Sequence, residues 1–420
     1  MLVMLVVIVP LLALKASESA KIRHIVLGLA TFDLFNPMHV NLISQEHYRG
    51  DSRGIEVTTV DLLILSLFIS QRLRRQPIMK GRRFLFVRGL YLFFVLLSFS
   101  ASPDWLKSFF GLWKILRMYF YFDTVATAFL ELDMLAAGLM GLAVGVVSQG
   151  LIALKQKYVF HFVRVFGSQS HPNSLAMVVN LNAPTAFSLL LSGKGKKITI
   201  AVVALAGLCD IFTLSRGGMM MFVASMGLVY LGSFIRGVTK RKIIILLLAM
   251  FAGTLVLAKS ADTIYKRFTE APKESMEARH MFNHAAKHMA DEHTFGVGIN
   301  MFSRVLDKGG YADRVGLPPV DRNGLAHHIY WLTSAELGYG GAAAFILLLL
   351  AIHFDAIRAT KLKGVRGDIA LGVVAGLTVT HLQGTAEWIM RQTGFGYAFW
   401  TYAAITASLT TYRQGLKNKQ

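Results

Sequence analysis

Apolar runs that recur from one end of the chain to the other limit what it can fold into more than any other feature. They lie at Met1–Leu14, Ile22–Phe35, Val60–Ser70, Phe84–Ala101, Phe109–Leu130, Met134–Leu154 and Asn173–Leu191. They continue at Ile198–Leu214, Gly217–Ile235, Ile243–Ala258, Ile329–Phe354, Ile369–Thr385 and Phe395–Tyr412. A helix needs about 20 apolar residues to cross a bilayer. Every backbone polar group in lipid must bond internally, which makes helices the structure to expect. The spacing predicts an all-α, polytopic membrane bundle of about 12 helices, or about 13 if both short N-terminal runs span. The first basic residue is Lys15, so Met1–Leu14 lacks the positive region of a cleaved signal and reads as a short first membrane segment. With 54% hydrophobic and only 16% charged residues, against about 25% charged in soluble domains, a water-soluble enzyme is excluded.

Lys and Arg outnumber Asp and Glu by 44 to 24. In a soluble chain that excess would point to nucleic acid. Here the basic residues crowd short loops at 72–83, 194–197, 236–242 and 358–366, and the tail at 413–419. Counting helices puts all five on one side, which the positive-inside rule makes cytoplasmic. The excess is a topology signal, and no nucleic-acid partner is expected. The opposite side receives 36–59, 155–172, the turn at Ser215 and the long stretch 259–326. One membrane domain therefore divides into helices at 1–258, a long periplasmic loop at 259–326 that contains helices, and helices at 327–420. The loop has 10 Lys and Arg and 9 Asp and Glu, and loops this long usually carry function. Chemistry is expected at the exterior or periplasmic face.

Soluble-enzyme motifs are absent: there is no G-x-x-x-x-G-K-[ST], H-E-x-x-H, G-x-S-x-G or Asp-x-Asp. No cofactor is expected. Cys209 is the single cysteine, which rules out an intrachain disulfide and a cysteine-based metal site. Polar residues at the outer ends of helices are the remaining candidates, since ionisable groups at membrane depth are functional by default.

Ser215-Arg216-Gly217-Gly218 forms a turn between two apolar runs. Its glycines let an anion approach backbone N–H groups at a helix start, and a guanidinium there can grip phosphate with two bonds. An arginine snorkelling to lipid head groups is the plainer reading. Arg279 opens a segment in which Phe282, Ala285, Ala286 and Met289 recur at helical spacing, predicting an amphipathic helix with Arg279 at the flank of its apolar face. It is either a solvated arginine or a charge that reaches into a cleft. His280, His284 and His288 form a stripe on the same helix, but no carboxylate or cysteine completes a metal site, and none is expected.

His327-His328-Ile329-Tyr330-Trp331 marks re-entry into the membrane. On a helix His327, Trp331 and Ser334 would share a face, and an imidazole there can accept a proton from an attacking hydroxyl. A structural histidine beside interfacial aromatics is the alternative. Supporting polar residues occur in Gly167–Asn173, which ends in Asn173 ahead of Asn180 and Asn182. Others lie in Gly384–Gln392, where Glu387 and Arg391 are spaced to pair on a helix. Helix-packing glue accounts equally well for both stretches.

Together these residues resemble the bacterial O-antigen ligase and polymerase superfamily. Its pattern is a Ser-Arg-Gly turn, an arginine-bearing helix in a long loop, Gly-x-Gly-x-x-x-Phe, then His-Asn-x-Tyr through Glu-x-Gly. Here these read Ser215-Arg216-Gly217, Arg279, Gly296 to Phe302, and His327-His328-Ile329-Tyr330 to Glu336-Leu337-Gly338. His328 departs from the usual Asn. The resemblance implies a metal-independent, inverting glycosyltransferase of the bacterial inner membrane. It would transfer glycan en bloc from undecaprenyl diphosphate to an acceptor at the periplasmic face. Arg216 and Arg279 would hold the diphosphate and His327 would be the base. Ser215, Gly217, His328, Asn173, Trp331, Glu387 and Arg391 would be supporting residues. The acceptor would be lipid A-core for a ligase, the reading preferred here, or another lipid-linked glycan for a polymerase. A transporter of lipid-linked glycan is disfavoured, because the charged candidates cluster at one face rather than at the midplane.

Overall fold

A computed structural model describes residues 7–77, 82–269 and 273–417. Residues 1–6 of the first apolar run, and Lys80 and Lys419 of the basic segments, lie outside the described residues. Of the described residues 76% are helical. Among the described residues its one sheet is a two-stranded antiparallel ribbon, His39–Leu42 with Ile55–Thr58, in which His39 faces Thr58.

Six helices among the described residues are long and apolar enough to cross a membrane. They are Phe84–Ala101, Leu132–Tyr158, Pro172–Leu191, Arg216–Ile235, Ile329–Ala359 and Val365–Gln383. Ile198–Thr213 is apolar but has only 16 residues. Other runs expected to span are not among these six. Val9–Glu18, Ala20–Asp33 and Thr59–Leu73 have 10, 14 and 15 residues. Trp105–Ala128 buries Lys107, Lys114 and Arg117 along its length. The helix Lys240–Thr269 also continues past Ala258, where the long loop was expected to begin.

Pro172–Leu191 is the central helix, with 94% of its apolar window buried, against 22% for Arg216–Ile235. His171 caps it by accepting the Asn173 N–H on Nδ1 at 3.1 Å, and Pro172 takes the first helical position, where its missing N–H costs nothing. Around it pack Ile198–Thr213, Arg216–Ile235 and Val365–Gln383. The last comes close because Gly372 and Gly376 face it. A Cβ on Gly372 would stand 2.3 Å from Thr185 Cα, and one on Gly376 would stand 2.5 Å from the Leu181 carbonyl oxygen. Small residues four apart are the usual means by which membrane helices touch backbone to backbone. Asn180 donates to the Gly218 carbonyl at 2.9 Å, and the Tyr402 hydroxyl donates to Asn182 Oδ1 at 3.3 Å. These two asparagines are packing glue.

At one end of the bundle Asp368 accepts Lys194 at 2.8 Å and pairs with Arg236 at 3.4 Å. Arg236 also donates to the Thr360 carbonyl at 2.7 Å. Three of the basic segments thus meet at the same end, as helix counting requires. The long connection folds onto the other end around its own apolar cluster, in which Phe282, Ala285, Ala286 and Met289 pack with Val297, Phe302 and Ile329. The amphipathic helix expected there is present as Lys273–Glu292. Val297 N–H donates to the Ala335 carbonyl at 2.9 Å and Gly298 N–H to the Glu336 carbonyl at 3.0 Å. The Gly-x-Gly stretch is thereby stapled to the first turns of Ile329–Ala359, whose backbone breaks at Gly338 (φ 71°, ψ 174°).

Gly376→Val should destabilise the bundle by about 1–3 kcal/mol through overpacking. Gly227→Ala, on a helix with no atom within 4 Å of the added Cβ, should be neutral. Thermal unfolding of the detergent-solubilised protein measures both, and equal midpoints for the two variants would contradict the backbone contact.

Candidate active site

A cleft of about 550 Å³ opens where the long connection meets the bundle, lined among others by His171, Arg279, Phe282, Asp321, His327 and Glu387. Glu387 is its electrostatic centre. It lies in the irregular stretch between Val365–Gln383 and the short 3-10 turn Ile389–Arg391, with its side chain only 9% exposed. Asn173 Nδ2 donates to Glu387 Oε1 at 2.5 Å from the start of the central helix. Arg279 Nη2 donates to the same oxygen at 3.2 Å, and Arg279 Nη1 reaches the Ala386 carbonyl at 3.3 Å. His327 Nδ1 stands 3.6 Å from Oε2, an ion-pair distance rather than a hydrogen bond. Burial by itself would raise the Glu387 carboxyl. His327, Arg279 and Asn173 outweigh it and hold the group below the ordinary glutamate range.

Three sequence candidates, Arg279, His327 and Glu387, therefore meet in one cleft, with Asn173 bonded behind them. Arg216 does not line the cleft. It is the first residue of Arg216–Ile235, whose cap Ser215 accepts the Gly218 N–H on Oγ at 3.2 Å. Its half-buried guanidinium has no ion pair or hydrogen bond among the described residues. The two glycines differ. A Cβ on Gly217 would meet nothing within 4 Å, whereas one on Gly218 would press on Ala176 Cβ at 2.6 Å. Gly217 faces open space, and Gly218 serves helix packing.

Two expectations need correction. Glu387 and Arg391 do not pair. The chain from 384 to 391 is a turn followed by 3-10 helix, so the α-helical spacing that would align them is lost. Arg391 instead binds Asp51 at 3.1 Å and Glu336 at 3.0 Å. His327, Trp331 and Ser334 do not share a helical face either. The helix begins at Ile329 with His328 as its cap, and Ser334 Oγ donates back to the Tyr330 carbonyl at 2.9 Å. His327 precedes the helix in a bend, which turns it toward Glu387. His328 accepts the Trp331 N–H on Nδ1 at 3.4 Å, and burial lowers its basicity. Trp331 packs half-buried against the apolar cluster of the long connection. His280, His284 and His288 lie on the exposed face of their helix. No group of three metal-ligating side chains occurs among the described residues.

Sequence reasoning held His171 only as part of the polar stretch Gly167–Asn173 and missed Arg164 and Asp321. His171 lines the cleft, and burial, then the neighbouring Arg164 charge, lower its basicity. Its place before Pro172 was a usable cap signal. Arg164 bonds both the Thr213 carbonyl, at 2.8 Å, and Asn173 Oδ1, at 3.1 Å. Asp321 also reaches the cleft. For Arg164 and Asp321 no local pattern existed, because folding alone brings them in.

The depressed Glu387 carboxyl gives a pH-dependent stability. A carboxyl lowered on folding stabilises above its unfolded pKa of about 4.3, and that contribution is lost as pH falls through the lower folded value. Wild type should therefore melt above Glu387→Gln at pH 6–7, with the gap closing below about pH 4. A gap that is constant with pH would contradict the pairing.

Residues 201–346 match the family model described as O-antigen ligase. That segment includes the Ser215 turn, Arg279 and the His327 bend, while Asn173 and Glu387 lie outside it. No curated protein matches the chain. The matched segment supplies the arginine helix and the histidine of the cleft, so over residues 201–346 the chain is similar to the O-antigen ligase family, and its apolar helices agree with a multi-pass membrane protein.

Proposed function

We propose that the protein transfers a glycan from a polyprenyl diphosphate, undecaprenyl diphosphate in bacteria, to an acceptor hydroxyl at the periplasmic face of the inner membrane. The single observation that carries this reading is the buried Glu387 carboxylate between Arg279 and His327 in an open cleft. Its supports are the family match, the basic loops gathered at the far end of the bundle, and the apolar helices that bring lipid-borne substrates to the cleft's level.

The chemistry follows from charge. With the Nδ1 side of His327 facing Glu387, Nε2 is the ring nitrogen left to accept a proton. The acceptor oxygen attacks the anomeric carbon as its proton passes to Nε2. The bond from that carbon to the diphosphate oxygen breaks, and its electron pair leaves with the diphosphate. Attack from the opposite side inverts the anomeric centre. Guanidiniums fixed where negative charge grows stabilise the departing diphosphate. Arg279 keeps further N–H groups for this beyond the two it commits to Glu387 and Ala386, and Arg216 offers its own beside the open Gly217. Two such cations can do the work of a divalent ion, so no metal is required. The acceptor is lipid A-core in the ligase reading.

His327→Ala should lose about 10²–10⁴-fold in transfer rate with donor binding largely kept, while His328→Asn stays active. Arg216→Lys and Arg279→Lys should both impair turnover, because an ammonium lacks the two-pronged fork. The assay is transfer from a lipid-diphosphate glycan to acceptor by purified protein in EDTA. An active His327→Ala, or activity that needs one particular divalent ion, would overturn the mechanism.

A further inference from the structure

Arg164 lies in the connection between Leu132–Tyr158 and the central helix, and that connection is firmly anchored. Val165 is buried and its N–H donates to the Phe212 carbonyl at 3.1 Å. Gln156 Oε1 accepts the N–H groups of Phe166 and Gly167 at 3.0 and 2.9 Å. From this base the Arg164 fork reaches two separate elements. Nε donates to the carbonyl of Thr213, the last residue of its helix, at 2.8 Å, and Nη2 donates to Asn173 Oδ1 at 3.1 Å. Beyond Thr213 the chain turns through Leu214 in the left-handed region (φ 51°). Ser215 N–H then donates to Thr213 Oγ1 at 3.2 Å, so the turn that presents Arg216 is tied to the residue Arg164 holds. Beyond Asn173 the chain of bonds runs to Glu387 and from there to Arg279 and His327.

We propose that Arg164 is a positioning residue that sets the separation between the Arg216 turn and the Arg279–Glu387–His327 cleft, and so the span available to one diphosphate. The link to the donor rests on the reading of Arg216 and Arg279 as two ends of a single diphosphate site; the positioning itself does not. A planar fork suits the task, because two acceptors on different elements must be held at fixed directions. A lysine keeps the charge but offers one compact donor.

The test uses the full chain in two arms. In the first, spin labels are placed at Met220→Cys on Arg216–Ile235 and Met276→Cys on Lys273–Glu292, positions 55% and 51% exposed. Native Cys209 is buried away from the label. The distance distribution should shift or broaden in both Arg164→Gln and Arg164→Lys. Unchanged distributions would overturn the positioning role, whether or not the protein transfers glycan. In the second arm, donor KM should rise about tenfold in both variants, the loss of one or two bonds to a charged group, with kcat changed less. Recovery of wild-type KM by Arg164→Lys would show that charge alone matters and overturn the fork. A shifted distance with unchanged KM would overturn the link to the donor. Wild-type protein without transfer activity would instead count against the proposed function, and the distance arm would still decide the positioning.

Discussion

The site depends on one carboxylate. Glu387 is almost fully buried, and an unpaired charge in such a place is costly enough to shift or unfold a structure. It is paired by groups from three distant parts of the chain: Asn173 at the head of the central helix, Arg279 on the helix of the long connection, and His327 in the bend before the next membrane helix. None of these pairings is local in sequence. The carboxylate is satisfied only when all three elements are docked, so assembling the fold and assembling the cleft are the same event. The same arrangement ties the cleft to the fold, because the carboxylate that pairs with Arg279 and faces His327 is satisfied only when the long connection is seated.

Four residues later Arg391 plays the converse part. It is a buried cation between Asp51 and Glu336, and Lys114 Nζ donates to the carbonyls of Asp51 and Arg391 at 2.7 and 3.0 Å. This second node fastens the ribbon-bearing loop at 36–59 to the bundle. The irregular stretch after Val365–Gln383 thus carries two opposite charges facing different neighbours. A regular helix there would have placed Glu387 and Arg391 side by side, and each would have satisfied the other. Loss of the helix frees Glu387 to serve the cleft.

Much of this was legible beforehand, and the parts that were not share a cause. Apolar runs marked the helices because burial in lipid demands length and hydrophobicity. The apolar stripe Phe282, Ala285, Ala286, Met289 marked the amphipathic helix because side chains three and four apart share a face. Arg279 and His327 were visible as charged or titratable groups where a loop meets the membrane. The errors arose where local periodicity was extended past a helix end. His327 lies just before the cap at His328, and Glu387 just after the turn at Gly384, so neither has the neighbours a continuous helix would give it. Among the described residues six helices are long and apolar enough to span, which leaves the expected count of about 12 neither met nor overturned. Arg164 and Asp321 lie outside any motif, and only the folded chain brings Asp321 to the cleft and Arg164 to Asn173 behind it.

The central claim is that Glu387 and His327 act as one unit in catalysis. A double-mutant cycle on transfer rate tests it most directly, using Glu387→Gln, His327→Ala and the combined variant with donor saturating and protein amount matched. Residues that act as a unit are strongly non-additive. The account predicts that the combined variant is no slower than His327→Ala alone, since a carboxylate that works through the imidazole has nothing left to orient. Losses that multiply, leaving the combined variant slower by the full product of the two single effects, would contradict it.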